Sequence, residues 1–203
     1  MLRDGLEQLE LPLCSEATES LLAYVELLAH WNQTYNLTAV RNPAEMVTRH
    51  LLDSLSVSPW LKAGRLMDAG TGAGLPGIPL AIADPNLQVT LVDSAGKKVR
   101  FMNHVKRQLG LGNVFPLQAR VEETTVDTPF DAIISRAFSS LASFALAVRH
   151  LAVDGTRLLA MKGHYPEDEI SGLPAWARVD AVEKIVVPGL HENRHLVMMT
   201  IDP

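Results

Sequence analysis

A glycine-rich segment at residues 67–77, Met-Asp-Ala-Gly-Thr-Gly-Ala-Gly-Leu-Pro-Gly, directly follows a short apolar run that predicts a β-strand. Glycine is needed where the backbone turns sharply or where a ligand approaches it closely, because glycine has no Cβ. Asp93 ends the next predicted strand, where a carboxylate can accept hydrogen bonds from both ribose hydroxyls of an adenosine. Together the two features predict a site for an adenosine-containing ligand.

Asp68 helps to decide which adenosine ligand fits this loop. Residues 72–77 also satisfy the dinucleotide pattern G-x-G-x-x-G. However, a carboxylate at the loop entrance repels a pyrophosphate and attracts the ammonium and sulfonium groups of S-adenosylmethionine. Pro76 and Pro79 also remove backbone donors that a pyrophosphate would use. The pattern favours S-adenosylmethionine over a dinucleotide and over a glycine turn without a ligand. We expect S-adenosylmethionine to contact Asp68, Gly70, Gly72, Gly74 and Asp93.

Arg136 follows the fourth predicted strand and is the candidate catalytic residue. Its guanidinium can donate two hydrogen bonds to guanine O6, to a phosphate or to a carboxylate, so it could serve the donor or the acceptor, or form only a salt bridge. Cys14, the only cysteine, lies far from this strand end, which excludes pyrimidine C5 methylation through a cysteine nucleophile. Residues 135–138 also lack the Asn/Asp-Pro-Pro-aromatic turn common in enzymes that methylate base amines. An acceptor with a free lone pair and no proton to lose, such as guanine N7, would need no general base.

Basic residues concentrate on the helix predicted after Asp93: Lys97, Lys98, Arg100, His104, Lys106 and Arg107. We expect Lys97 and Arg100 to contact RNA phosphates, although a solvated face that complements the helix dipole explains the pattern equally well. Lys162 ends the fifth predicted strand, on the same edge as the glycine loop, and is a third candidate RNA contact. The histidines lack metal-ligand spacing, so no metal is predicted.

The elements that must position these residues form two parts. A helical extension is predicted for residues 1–62. Its first helix runs from an N-cap at Ser15 to about Trp31, shortly before Tyr35, and its second helix begins at Asn42-Pro43. Trp31 and Tyr35 are predicted to pack rather than to stack on a base. Residues 63–203 predict a methyltransferase domain with a doubly wound, mostly parallel, seven-stranded α/β sheet. The predicted strands are residues 65–68, 88–93, 114–117, 131–135, 156–162, 179–187 and 195–201.

The composition is that of an ordinary globular domain, with 203 residues, 47% hydrophobic and 20% charged. No stretch reaches the roughly 20 apolar residues of a membrane span, and the N-terminus lacks a secretory signal, so we expect a cytoplasmic protein. The net charge of -5 argues against a nonspecific nucleic-acid binder. Any RNA contact must therefore come from a local basic patch.

Several segments, in the same order along nearly the whole chain, resemble the ribosomal RNA small subunit methyltransferase G family, also called glucose-inhibited division protein B. They are residues 31–38, Arg49-His50 with Asp53-Ser54, residues 68–79, 91–94, 120–123 and 134–138, Lys162-Gly163 and Arg194-His195-Leu196. The chain departs from the family at Ala73, where members have proline. The glycine spacing is unaffected by this difference.

The resemblance implies methylation of guanine N7 in the decoding region of 16S ribosomal RNA, with S-adenosylmethionine as donor and S-adenosylhomocysteine as product. It implies a donor pocket formed by Gly70, Leu75, Val121, Glu122 and Arg136. The expected partner is 16S ribosomal RNA in the small ribosomal subunit, and the enzyme is expected to be monomeric. Two alternatives remain open: a small-molecule methyltransferase, and a donor-binding RNA-interaction module without catalysis.

Overall fold

A seven-stranded sheet lies between two layers of helices in the computed structural model, which describes residues 1–136 and 138–201. Ala137 of the 134–138 motif, Asp202 and Pro203 lie outside the described residues. The strands are β1 (Gly64–Ala69), β2 (Leu87–Asp93), β3 (Val114–Gln118), β4 (Ala132–Ser135), β5 (Arg157–Lys162), β6 (Ala177–Ile185) and β7 (Arg194–Ile201).

The sheet order is β3-β2-β1-β4-β5-β7-β6. The first five strands in this order are parallel, and β7 runs antiparallel to both β5 and β6. This arrangement confirms the predicted doubly wound, mostly parallel sheet. Each strand boundary lies within two residues of its predicted position.

The helices are α1 (Leu2–Gln8), α2 (Ser15–Tyr35), α3 (Pro43–Met46), α4 (Asp53–Leu55), α5 (Gly77–Ala83), α6 (Gly96–Gln108), α7 (Leu141–Val148) and α8 (Glu167–Ser171). A π-helical segment, Val47–Leu52, joins α3 to α4 without a break. Short 3-10 turns occupy Ser58–Trp60, Val121–Glu123 and Arg149–Leu151. Within the described residues, no helix combines the length and the apolar character needed to cross a bilayer.

The N-terminal helices share a hydrophobic core with one face of the sheet. Leu21 and Leu28 of α2 belong to the same buried cluster as Leu66 of β1, Ile78 of α5 and Phe101 of α6. A second cluster on the other face packs α7 against the sheet. The proposed division into residues 1–62 and 63–203 therefore does not separate two cores, and it stays a prediction.

Two details of α2 differ from the sequence expectation. Cys14, not Ser15, is the N-cap: its backbone is extended and its Sγ accepts a hydrogen bond from the Ala17 N–H, whereas Ser15 is already helical. The helix also continues past Trp31 to Tyr35 and ends where Asn36 adopts a left-handed conformation. Both aromatic residues thus lie inside the helix.

The predicted packing role of Trp31 is confirmed. Its ring lies 5.6 Å from the Phe101 ring and 5.2 Å from the His104 ring, both on α6. Tyr35 packs on Trp31 at 5.2 Å and remains partly exposed. These contacts fix the end of α2 against the helix that follows Asp93.

Candidate active site

The carboxyl ends of the parallel strands bring most of the predicted site residues to one edge of the sheet. Across the sheet from β3 to β5, this edge carries Val121, Asp93, the glycine loop after β1, Arg136 and Lys162. Neighbouring strands β1 and β4 form the point at which the chain reverses its direction of winding. In open α/β sheets, ligands bind at such a switch point.

The glycine loop turns sharply, as the sequence predicts. Gly70, Gly72 and Gly74 all have positive φ angles, of 69°, 65° and 92°. A Cβ on Gly72 would meet none of the described atoms within 4 Å, so the backbone is open to a ligand there. A Cβ on Gly74 would collide with the Ile78 side chain. Gly72 is therefore the place for close ligand approach, and Gly74 is required by packing.

Asp68 lies beneath the loop and not at its entrance. The side chain is fully buried, and its Oδ2 accepts hydrogen bonds from Thr71 Oγ1 at 2.5 Å and from the Gly77 N–H at 2.8 Å. Burial raises the pKa of Asp68 to about 6, against the effect of these two hydrogen bonds. Its Oδ1 has no hydrogen-bond partner among residues 1–136 and 138–201. Asp68 ties the two ends of the loop together, and its unpartnered oxygen favours a cationic ligand over a pyrophosphate.

The Asp93 carboxylate already accepts three hydrogen bonds from other described residues. Oδ1 accepts from the Ala95 N–H at 2.9 Å, and Oδ2 accepts from the Gly72 N–H at 2.9 Å and from Lys98 Nζ at 3.1 Å. A carboxylate offers about four acceptor positions. One ribose hydroxyl thus fits beside these contacts, and a second requires Lys98 to give up its hydrogen bond.

The remaining predicted donor residues differ in exposure. Val121 is buried and Glu122 is exposed in the 3-10 turn that follows β3, next to the end of β2. Leu75 is buried in the loop. Above the loop, the buried Tyr24 hydroxyl of α2 donates a hydrogen bond to the Ala73 carbonyl at 2.9 Å. The N-terminal helices therefore help to hold the loop in place.

A cavity of about 350 Å³ lies beside the loop, over the ends of β4 and β5. Four basic side chains line it together with one carboxylate, that of Asp53: they are Arg49, Arg136, Lys162 and Arg194. Val40, His50, Met161 and Gly163 complete the lining. A larger cavity of about 490 Å³ lies between α1 and the start of α2, away from this edge. The cavity at the switch point is suited to an anionic ligand such as an RNA phosphate.

Asp53 holds two of these arginines. Its side chain is 2% exposed, and Oδ2 lies 3.1 Å from Arg136 Nη1 while Oδ1 lies 2.8 Å from Arg194 Nε. Arg136 Nη1 also donates to the Arg49 carbonyl at 3.4 Å. The salt bridge considered as the alternative role of Arg136 is thus present, but it is part of the cavity wall and not of the outer surface.

His50 lines the same cavity in a neutral form. Its Nδ1 lies 3.0 Å from the Arg49 carbonyl, an acceptor, so Nδ1 donates and Nε2 accepts from the Thr38 hydroxyl at 2.9 Å. Burial, reinforced by the positive charge of Arg136, lowers the pKa of His50 to about 4. The imidazole therefore stabilises the cavity wall through its hydrogen bonds, without adding charge near neutral pH.

These features can be compared with known proteins. The sequence model described as rRNA small subunit methyltransferase G matches residues 17–197. The chain belongs to this family. Ribosomal RNA small subunit methyltransferase G of Pseudomonas syringae pv. tomato is 50% identical over 198 residues, covering 98% of this chain and 94% of that protein. The protein of the same name from Salmonella arizonae is 50% identical over 194 residues, covering 96% of this chain and 94% of that protein. The resemblance found in the sequence is confirmed.

Solved structures agree on the fold. TrmN from Thermus thermophilus has a TM-score of 0.58 at 16% identity, covering 76% of this chain and 53% of that chain. A SAM dependent methyltransferase from Aquifex aeolicus has a TM-score of 0.57 at 19% identity, covering 79% of this chain and 94% of that chain. This family member therefore shares its fold with methyltransferases of much less similar sequence.

The basic helix of this family member presents fewer free cations than its sequence indicates. Lys98 pairs with Asp93, Lys106 lies over the Phe115 ring at 4.9 Å, and Lys97 Nζ donates to the Tyr35 carbonyl at 2.8 Å. Lys97 and Arg100 are both exposed and lie three residues apart, on one side of α6. The structure places both away from the cavity, while Lys162 lines it.

Sequence reasoning missed Arg49, Asp53 and Arg194 as site residues, although all three occur in the segments that resemble the family. One signal was available: Asp53 interrupts an apolar helix in which Leu51, Leu52 and Leu55 are buried. A charged residue at a buried helical position is unusual unless it is paired. The partner itself was not foreseeable, since Arg194 lies 141 positions from Asp53 along the chain.

Proposed function

We propose that this chain transfers the methyl group of S-adenosylmethionine to N7 of a guanine in 16S ribosomal RNA. Its family membership and the names of its half-identical relatives support this activity. The structural observation that carries it is the adjacency of the glycine loop and the basic cavity on the two sides of the β1/β4 switch point. A donor on the loop and an RNA nucleotide in the cavity would then meet at the same edge.

The donor side of the proposal uses the loop and the ends of β2 and β3. The residues assigned to it are Asp68, Gly70, Gly72, Gly74, Leu75, Asp93, Val121, Glu122 and Arg136. Asp93 would accept from the ribose, and the open side of Gly72 would allow close approach of the donor. The ionised Asp68 beneath the loop would favour the positive charge of the donor.

The acceptor side needs positioning rather than proton removal. In the transfer, the bond from sulfur to the methyl carbon breaks, its electron pair stays on sulfur, and the N7 lone pair forms the new bond to carbon. No proton leaves guanine, and the positive charge passes from sulfur to the purine. Alignment of this kind can lower a barrier by about 7 to 11 kcal/mol, so a general base is not required.

Arg136 is the proposed catalytic residue because it lies between the donor side at the glycine loop and the acceptor side at the basic cavity. Both of its contacts among the described residues use Nη1. The Nε and Nη2 hydrogens remain for guanine O6, an RNA phosphate or the donor carboxylate. Lys162, Lys97 and Arg100 are the proposed RNA contacts, with Lys162 nearest to the cavity.

We further propose that the enzyme acts as a monomer on RNA within an assembled small subunit. The net charge of -5 supports this substrate, because an acidic chain holds naked RNA weakly. Ribosomal proteins on a subunit add surface that the enzyme can contact. Naked RNA should therefore be the poorer substrate.

The test incubates the purified protein and labelled S-adenosylmethionine with small subunits, or with naked 16S RNA, from cells that lack the gene. Mass spectrometry of the nucleosides should detect 7-methylguanosine, with faster transfer to subunits. Arg136→Lys should slow transfer, and Arg178→Lys, a change at an exposed arginine on β6, should not. Transfer to another base atom, or donor binding without transfer to RNA, would contradict the proposal.

A further inference from the structure

Exposed aromatic and basic side chains cluster beyond the end of β5. The Tyr165 side chain is 57% exposed, and its ring meets the His195 ring edge-on, with centroids 5.8 Å apart. His195 pairs across strands with Lys162 of β5 and with Lys184 of β6. Directly paired residues of antiparallel strands project from the same face. We call Tyr165, His195, Lys184 and His164 the Tyr165 cluster.

The cluster borders the basic cavity at the end of β5. Arg194 and His195 are successive residues of β7 and project from opposite faces, while Lys162, the cross-strand partner of His195, also lines the cavity together with Arg194. The two sites therefore share a border. Lys162 and Gly163 line the cavity, and Tyr165 follows Gly163 by two residues.

Part of the positive charge of the cluster has no ion-pair partner among residues 1–136 and 138–201. Lys162 is paired with Glu169 at 2.7 Å, whereas Lys184 and His164 are exposed and form no ion pair within the described residues. Burial, followed by the charges of Lys184 and His164, lowers the pKa of His195. Both groups thus lie close enough to the imidazole for their charges to act on it.

An exposed ring beside cations matches the chemistry of single-stranded RNA. Bases stack on aromatic side chains, and basic side chains contact the phosphates that connect them. A T-shaped contact with His195 restricts the movement of the Tyr165 ring, so less freedom is lost when a base stacks on it. An acidic protein would gain affinity from such a patch without a basic overall charge.

We propose that the Tyr165 cluster binds a nucleotide next to the target guanine, with its base stacked on Tyr165 and its phosphate beside Lys184. This inference rests on the proposed RNA substrate. The cavity and the cluster would then hold neighbouring nucleotides at the end of β5. The RNA backbone between these two nucleotides would pass over Gly163, which has no side chain to obstruct it.

Three variants test this inference: Tyr165→Ala, Tyr165→Phe and Lys184→Ala. Phe115→Ala is the matched control, because Phe115 is also an exposed ring (44%) beside a lysine, but it lies on β3 at the far edge of the sheet. The measurements are KM for unmethylated small subunits, the dissociation constant for S-adenosylmethionine and the melting temperature.

We expect Tyr165→Ala to raise KM for the subunits at least about fivefold, with unchanged donor affinity. Tyr165→Phe should keep the wild-type KM, because the ring remains. Lys184→Ala should raise KM and lessen its dependence on salt. A KM for Tyr165→Ala equal to that of Phe115→Ala, or an equal increase for Tyr165→Phe, would overturn the inference. If the wild type transfers no methyl group to RNA, the proposed function fails as well, so the two failures are distinguishable.

Discussion

At the residue scale, Asp68 is completely buried, and one of its oxygens has no hydrogen-bond partner in the part of the chain that the structure describes. Its raised pKa of about 6, caused mainly by burial, means that the folded protein retains this proton at a pH where the unfolded chain has released it. Between about pH 4 and pH 6 this group therefore makes folding less favourable as the pH rises. A bound cation reverses the effect, because it stabilises the ionised carboxylate.

Affinity for S-adenosylmethionine should accordingly increase as the pH rises from 5 to 7, by up to about tenfold per unit below pH 6. Asp68→Asn should weaken binding and flatten this dependence. Calorimetric titration across the pH range measures both effects. Melting curves provide a control, since the donor should raise the melting temperature and NAD should not. Equal pH slopes for wild type and Asp68→Asn would show that Asp68 serves the loop alone.

Asp93 and Lys98 give a second prediction at this scale. Asp93→Asn should weaken donor binding about tenfold or more, since hydrogen bonds to a charged acceptor contribute about 1.5 to 3 kcal/mol. Lys98→Met should leave donor affinity equal or higher, because it frees Oδ2 for a ribose hydroxyl. Equilibrium binding of labelled donor measures both. If Lys98→Met weakens binding as much as Asp93→Asn, the lysine supports the site instead of competing for it.

At the scale of elements, the π-helical segment positions the cavity wall. The Asp53 N–H donates to the Thr48 carbonyl, five residues earlier, so the helix carries one extra residue in this turn. The insertion shifts Arg49 and His50 relative to the apolar stripe that continues from Met46 to Leu55. The helix can thus bury its leucines against the core and still place Asp53 between two arginines that come from β4 and β7.

Asp53→Asn should destabilise the fold, because Arg136 and Arg194 would lose the carboxylate between them. We expect a loss of about 2 to 3 kcal/mol, below the usual cost for a buried pair, since both arginines are partly exposed. Urea unfolding monitored by circular dichroism measures this loss.

Asp180→Asn is the control for this substitution, as Asp180 pairs with the exposed Arg178. Its effect should stay within about 0.5 kcal/mol. Similar unfolding midpoints for the two variants would mean that the Asp53 contacts contribute little to stability. In that case the spacing of the two arginines would depend on the rest of the cavity wall.

The same elements explain what the sequence could and could not foretell. Strand alternation and the glycine loop predicted the sheet and its functional edge, because local patterns determine them. The return of β7 between β5 and β6 is a long-range pairing, so the meeting of Arg194 with Asp53 had no local signal. The π-helical turn likewise left no mark in the periodicity that would distinguish it from an α-helix.

Exposure was a further quantity that residue types did not reveal. Asp68 was expected at the loop entrance and lies beneath the loop, since Thr71 and Gly77 both donate to it. Lys98 was counted in a basic face and turns inward to Asp93. A polar side chain near a loop can face solvent or form hydrogen bonds with protein groups, and which of the two occurs depends on how the loop closes.

At the scale of the whole molecule, an acidic chain must hold a polyanion through local patches. Each lost phosphate contact should reduce the slope of log affinity against log salt by roughly 0.7 to 0.9. The double substitution Lys97→Ala with Arg100→Ala should therefore lower the slope by up to about 1.8, with donor affinity retained. Subunit binding across a salt series measures the slope. Arg178→Ala is the control, and slopes equal to the wild type would identify this side of α6 as a solvated face.

The hydrogen bond from Tyr24 to Ala73 spans 49 positions, and it has a consequence for how the chain is made. Synthesis begins at the N-terminus, so α2 leaves the ribosome before its partners in the loop, α5 and α6 exist. Leu21, Tyr24 and Leu28 then stay only partly covered, by α3 and the π-helical segment, until translation has passed Gln108, the end of α6. A nascent chain that stalls before this point presents an incompletely covered amphipathic helix, and chaperones or proteases should recognise it there.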